Sequence, residues 1–184
     1  KLKDAITVDD LKVKTDRPNG FYPVRVIGVL PHSLITKQLI EELEVKEGYV
    51  QPALERDILP IAVIERYGVN GNVNSGFIKG FNITAADFGM ATTVAHDSHN
   101  LIVVGTNYQV MLELINEVVA MKGGLAIKIG KTTKKLPLPL AGLMSLEEPP
   151  VLHQQFNELT KFVKQATSFD EPFMALSFMA LPVI

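Results

Sequence analysis

The chain of 184 residues is 47% apolar and 21% charged, with a net charge of −2 and no cysteine. That length supports one domain with a sizeable core, the near-neutral charge gives no electrostatic drive toward nucleic acid or an anionic membrane, and the lack of thiols excludes a disulfide framework and thiolate chemistry. The longest apolar run falls well short of the ~20 residues of a bilayer span, and no apolar stretch follows Lys1-Leu2-Lys3-Asp4 to make a secretory leader, so a cytoplasmic protein is expected.

Residues 1–20 are charged and closed by Asp16-Arg17-Pro18-Asn19-Gly20, a turn signal, and read as a linker or N-terminal arm ahead of a single domain over 21–184. A strand is expected from Phe21 to Leu30, stopped by Pro31. Leu34–Val45 fits either a helix or strands. Ile58–Tyr67 reads as a strand, and Pro60 inside it, unable to donate to a ladder, points to an edge or a bulge. The segment 68–76 is a loop by its Gly and Asn content, Gly76–Ile83 a further strand, and Ala85–Met90 a short connection with room for one helical turn. Thr106 or Asn107 can cap a helix to about Lys122, with Met111, Leu114, Ile115 and Val118 at helical spacing and Gly123-Gly124 as its stop.

Leu125–Ile129 and Thr132–Leu136 read as a hairpin around Gly130-Lys131. Glu147-Glu148-Pro149-Pro150 opens a second long helix to about Thr167, burying Leu152, Phe156, Leu159, Phe162 and Val163. A short buried helix is expected over Phe173–Leu181. The sum is an α/β or α+β fold, a layered mixed sheet packed by two long helices. The chain begins at a lysine and stops on Leu181-Pro182-Val183-Ile184 without a polar tail, and is expected to be a segment of a longer polypeptide.

The chemistry concentrates in Thr92–Asn107, where β-branched runs flank His96-Asp97-Ser98-His99-Asn100, a polar turn between two strands. Three readings of that turn stand side by side. His96 and His99, with Asp97, could ligate a metal, although residues three apart on extended chain face opposite sides. The turn could face a substrate or orient a carboxylate held elsewhere. Or its side chains satisfy each other and the turn's own backbone. Lys79, between Phe77-Ile78 and Gly80-Phe81, either reaches a cleft or snorkels to solvent. His32 and His153 lie in unrelated contexts. Gly130-Lys131-Thr132 lacks the upstream glycines of a phosphate loop, no Gly-x-Ser-x-Gly surrounds Ser145 or Ser177, and the Phe-rich segments 156–162 and 173–178 read as core.

Four blocks in order, Gly76-Phe77-Ile78-Lys79-Gly80-Phe81, Thr93-Val94-Ala95-His96-Asp97-Ser98-His99-Asn100-Leu101-Ile102-Val103-Val104-Gly105-Thr106-Asn107, Leu136-Pro137-Leu138-Pro139-Leu140-Ala141-Gly142-Leu143-Met144-Ser145 and Pro172–Ile184, resemble the C-terminal region of bacterial adenine deaminases. The resemblance is loosest before Asp57 and departs from the family pattern over 68–75. It implies a metal-dependent amidohydrolase that converts adenine and water to hypoxanthine and ammonia in purine salvage, and a likeness to the domain that follows its catalytic barrel. In that family the divalent metal, manganese or iron, sits at the C-terminal ends of the strands of an N-terminal (β/α)8 barrel. Such a barrel needs about 200 residues or more, and no His-x-His pair occurs here, so no metal is expected in this segment. The implied partners are that barrel in the same polypeptide, adenine, and further copies in a homo-oligomer. Two roles follow for the domain: the His96–Asn100 turn, with Lys79, closes over the barrel mouth, or the domain is a non-catalytic module that stabilises the barrel or the oligomer.

Overall fold

The computed structural model describes Leu2 and residues 4–181. In chain order the elements are α1 (Val8–Leu11), β1 (Gly20–Gly28), β2 (Lys37–Lys46), β3 (Tyr49–Val50), a 3-10 turn at Leu54–Arg56, β4 (Ile58–Ile64), β5 (Val73–Lys79), β6 (Phe88–Thr92), β7 (Leu101–Gly105), α2 (Tyr108–Ala120), β8 (Gly124–Ile129), β9 (Thr132–Pro137), α3 (Pro149–Val163) and α4 (Pro172–Phe178). The strands form one nine-stranded sheet in the order β3-β2-β1-β5-β4-β7-β6-β8-β9. The β1·β5 pair is parallel and the neighbouring pairs are antiparallel. This is the layered mixed sheet the sequence implies. Pro182, Val183 and Ile184, which end the last of the four blocks, lie outside the described residues, as do Lys1 and Lys3 of the presumed arm.

Strand alternation divides the core under the helices in two, and a third cluster gathers Val26, Leu43, Val45, Ile58 and Phe77. Ala62, Ile64, Ala91, Leu101, Val103 and Ala126 turn to one face and meet Val110, Met111, Leu114, Ile115 and Val118 of α2. Ile61, Met90, Ile102, Val104, Leu125 and Ile127 turn to the other, under Leu159, Phe162 and Val163 of α3 and Phe173 and Leu176 of α4. Each such buried aliphatic or aromatic side chain contributes roughly 1.5–3 kcal/mol. Small residues let α2 close on the sheet: a Cβ on Gly89 would stand 2.7 Å from side-chain atoms of both Leu114 and Val110.

The ends of α2 explain its length. Asn107 accepts the Val110 amide at 2.9 Å as N-cap. At the other end Lys122, at φ +64°, takes the left-handed position, while the Gly123 amide reaches back to the Val118 carbonyl at 2.9 Å and the Lys122 amide to Val119 at 3.1 Å. Glycine was the expected occupant of that position; the chain places it one residue later, where φ is +116°.

Of the two forms open to Leu34–Val45 the chain takes the strand, β2, from Lys37 on, with Leu43 and Val45 buried against β1 and β4. Several expectations need correction. Ala85–Met90 is not a helical connection: β6 begins at Phe88 and lies between β7 and β8. Buried on both faces, it carries no alternation to read. Val73-Asn74-Ser75, assigned to a loop, begin β5. Pro60 occupies the central strand β4, not an edge. Ile58 turns its amide to the Ala53 carbonyl at 3.0 Å; Pro60, of the same parity, turns its nitrogen the same way, before the β7 ladder starts at Ile61. Phe156, expected in the core, is 40% exposed. The first twenty residues contain α1, whose Leu11 is buried against the α2 face.

Both borders of the sheet are guarded. On the β2 side β3 pairs with Val45 and Lys46 alone. Farther along, Arg56 donates to the Glu42 carbonyl at 2.8 Å and the Gln51 amide to the Glu44 carbonyl at 2.8 Å. On the other side β9 carries Lys134 and Lys135 and ends at Pro137.

Candidate functional site

The His96–Asn100 turn joins β6 to β7 at the middle of the sheet. Ala95 is buried and the His96 amide donates to the Ser177 carbonyl of α4 at 2.9 Å. The His99 amide closes back on the Ala95 carbonyl at 2.7 Å, with His99 itself left-handed at φ +50°. The His96–Asp97 peptide bond is cis. Asp97 and Ser98 are exposed, while His96, His99 and Asn100 are half-buried. The His96 ring packs 4.4 Å from the Phe178 ring and 6.5 Å from that of His99, centroid to centroid.

Two neighbours of β4 fasten the turn from behind. Arg66 donates through Nε to the His99 carbonyl and through Nη2 to the Ala141 carbonyl at 2.7 Å. Tyr67 donates its hydroxyl to the Ser98 carbonyl at 2.7 Å. Thr93, fully buried, donates to the Gly142 carbonyl at 2.6 Å and accepts from the Gly124 amide at 2.8 Å. The turn is thereby tied to the loop 140–142 and to the start of β8. Two buried side-chain atoms on it have no hydrogen-bond partner among the described residues, His99 Nδ1 and Asn100 Oδ1.

The turn does bring both imidazoles to one side of the sheet, but it does not build a metal centre. Ligand nitrogens lie about 2.0–2.1 Å from a zinc ion, with three or four donors converging. Among the described residues no group of three or more His, Asp or Glu side chains could hold an ion. The divalent metal implied by the resemblance does not fit these residues.

Lys79 stands apart from the turn. It pairs across the sheet beside Ile58, at the far end of β4 from Ile64, which faces Leu101 just after the turn; at ~3.3 Å per residue the two ends are about 20 Å apart. Its ammonium bonds Glu41 at 2.8 Å, and Arg56 pairs with the same carboxylate. The Lys79 bond holds the Glu41 carboxyl below its ordinary value of 4.5, with burial opposing and Arg56 assisting. A carboxylate depressed in the folded state adds stability above its unfolded value that is lost as pH falls through the folded one. Glu41→Gln is therefore expected to destabilise the protein at neutral pH, with the difference shrinking as pH falls below 4.5, read from urea midpoints across that range.

His96 also lines a cleft of about 740 Å³ between the sheet and the first turns of α3, with Leu125, Leu138, Leu152, Phe156 and Phe173 among its walls. His153, placed by sequence in an unrelated context, lines the same cleft and bonds Asn157 at 2.9 Å. His32 instead contacts Asp170 at 3.3 Å. Arg66 and Tyr67 escaped the sequence reading altogether. They act on main-chain carbonyls 31 to 75 residues away, so no local spacing marks them; the one sequence signal is the polar run Glu65-Arg66-Tyr67 directly behind the wholly apolar run Ile58–Ile64.

The family described as the adenine deaminase C-terminal domain matches residues 33–184. An adenine deaminase of Brucella abortus (strain 2308) is 41% identical over 162 residues, which cover 87% of this chain and 28% of that protein. One from Staphylothermus marinus is 40% identical over 174 residues, covering 93% of this chain and 28% of its own length. One from Methanococcoides burtonii is 37% identical over 184 residues, covering 98% and 31%. The chain thus spans less than a third of the length of these relatives.

Proposed function

Because this chain belongs to the family of adenine deaminase C-terminal domains, we propose that it works as the C-terminal part of an adenine deaminase, a hydrolase that turns adenine and water into hypoxanthine and ammonia in cytoplasmic purine salvage. In this reading an N-terminal amidohydrolase barrel in the same polypeptide binds the divalent metal and the purine. The His96–Asn100 turn closes over the barrel mouth. Asp97 and Ser98 are exposed at its tip, and the imidazoles of His96 and His99 give it donors and acceptors of the kind a purine edge matches.

The observation that carries the reading is the pair of buried atoms His99 Nδ1 and Asn100 Oδ1, without a partner among the described residues, on a turn whose main chain is otherwise held at Ser98, His99 and His96. Buried polar groups are nearly always bonded, and each one left unpaired costs about 1–3 kcal/mol. Both atoms are covered in the free domain, so a substrate or a barrel residue reaches them through a small shift of the turn, and the bond it makes removes that cost. Lys79, engaged by Glu41 at the other end of β4, takes no part.

The test is hypoxanthine formation from adenine, run on this chain alone and on the longer polypeptide that carries it. The expected result is turnover by the longer form only. Turnover by this chain alone would end the division of labour, and a longer form inert toward adenine would end the substrate assignment.

A second reading makes the domain a non-catalytic module of the barrel or of a homo-oligomer. It is favoured by one feature: Phe21 and Ile40, each 61% exposed, stand on the uncovered face of the β1–β2 hairpin together with Pro23 and Arg25.

A further inference from the structure

We infer that Arg66 and Tyr67 are positioning residues, which hold the main chain of Ser98 and His99 so that the side chains of the turn keep one orientation. The inference rests on the site reading of that turn. The two residues follow β4, whose last residue Ile64 pairs with Leu101, the first residue of β7. The chain leaving β4 therefore runs alongside the chain leaving the turn. From there consecutive residues grip consecutive carbonyls: Tyr67 that of Ser98 and Arg66 that of His99.

The chemistry suits the task. A guanidinium is planar and presents several donors in a fixed fork. Arg66 uses two of them on carbonyls from different loops, His99 and Ala141, both residues being left-handed at φ +50° and +56°. A lysine ammonium is a point donor on a flexible stem and cannot span the same pair in that geometry. The guanidinium also lies 4.9 Å from the centroid of the Tyr67 ring, so each side chain limits the other's rotamers.

The base of the pair is fixed as well. The Glu65 carboxylate accepts the amides of Val69 at 3.1 Å and Gly71 at 3.1 Å, folding the segment after Tyr67 around that carboxylate. Misplacing a reacting or orienting group by about 1 Å can cost on the order of 100-fold in rate, so a grip on two main-chain carbonyls is enough to matter at a site the turn only covers.

The experiment compares Arg66→Lys and Tyr67→Phe with the parent in the longer polypeptide, reading amide hydrogen exchange over residues 96–100 together with kcat and KM for adenine. Exchange is expected to quicken about tenfold in Arg66→Lys, and kcat to fall about tenfold with KM little changed. Tyr67→Phe keeps the ring under the guanidinium and shows a smaller effect of the same kind. If exchange and kcat are both unmoved in the two variants while His99→Asn still lowers kcat, the positioning role is wrong and the site reading survives. If exchange quickens but neither these variants nor His99→Asn change kcat, the turn is not part of the site and both fall.

Discussion

His99→Asn, made in the polypeptide that joins this chain to its catalytic part, is expected to lower kcat for adenine by about 10- to 100-fold while moving the melting temperature little. Asparagine is the informative replacement because His99 sits at φ +50°, and asparagine tolerates the left-handed region better than other non-glycine residues. The grip of Arg66 on the His99 carbonyl does not depend on the side chain. The substitution thus removes the imidazole and leaves the main chain in place. Alanine at the same position is less favourable in the left-handed region than histidine or asparagine and confuses rate with stability. A lowered melting temperature with an unchanged rate would assign His99 to the architecture of the turn.

Gly124→Ala is expected to have the largest effect on stability, about 3 kcal/mol or more, from backbone strain and a steric clash acting together. Gly124 opens β8 at φ +134°, and a Cβ there would stand 2.1 Å from the Leu136 carbonyl oxygen and 2.9 Å from the Leu138 nitrogen. Those atoms belong to the main chain of β9 and the strap after it, so no side chain can swing aside. The same residue donates its amide to Thr93 and accepts the Thr93 amide, which carries the disturbance to the foot of the His96–Asn100 turn. Gly130→Ala is the control: it shares a positive φ, +57°, but has nothing within 4 Å of the added carbon, and about 1–2 kcal/mol is expected. Urea unfolding of both variants decides the matter. Equal losses would mean that the clash relaxes and only the dihedral angle counts.

What sequence made legible was whatever is local. Met111, Leu114, Ile115 and Val118 mark α2 by their spacing, Asn107 marks its start, and Gly130-Lys131 marks the β8–β9 hairpin. The polar turn between two apolar runs is likewise visible in Thr92–Asn107. Illegible parts depend on distant chain. β6 is hidden because its glycine, alanine and methionine answer to α2 and α3 rather than to a strand pattern. Pro60 is admissible in the central strand because the β7 ladder stops one residue short of it. Arg66, Tyr67 and Thr93 serve the turn through carbonyls, and a carbonyl has the same formula at every position. Four ordered blocks of residues, by contrast, carried the family identity that composition and charge could not.

The guarded borders of the sheet limit how this domain meets other proteins. With the Glu42 and Glu44 carbonyls already taken by Arg56 and Gln51, and with Lys134, Lys135 and Pro137 on the opposite rim, both margins disfavour pairing with an incoming strand. Recruitment by strand exchange, and fibrous growth from a partly unfolded chain, are both disfavoured at these margins. Neighbours are therefore favoured to approach broadside, against side chains such as Phe21 and Ile40 or against the turn itself. Contacts of that kind discriminate by shape and charge, which a pairing of bare main chains cannot do.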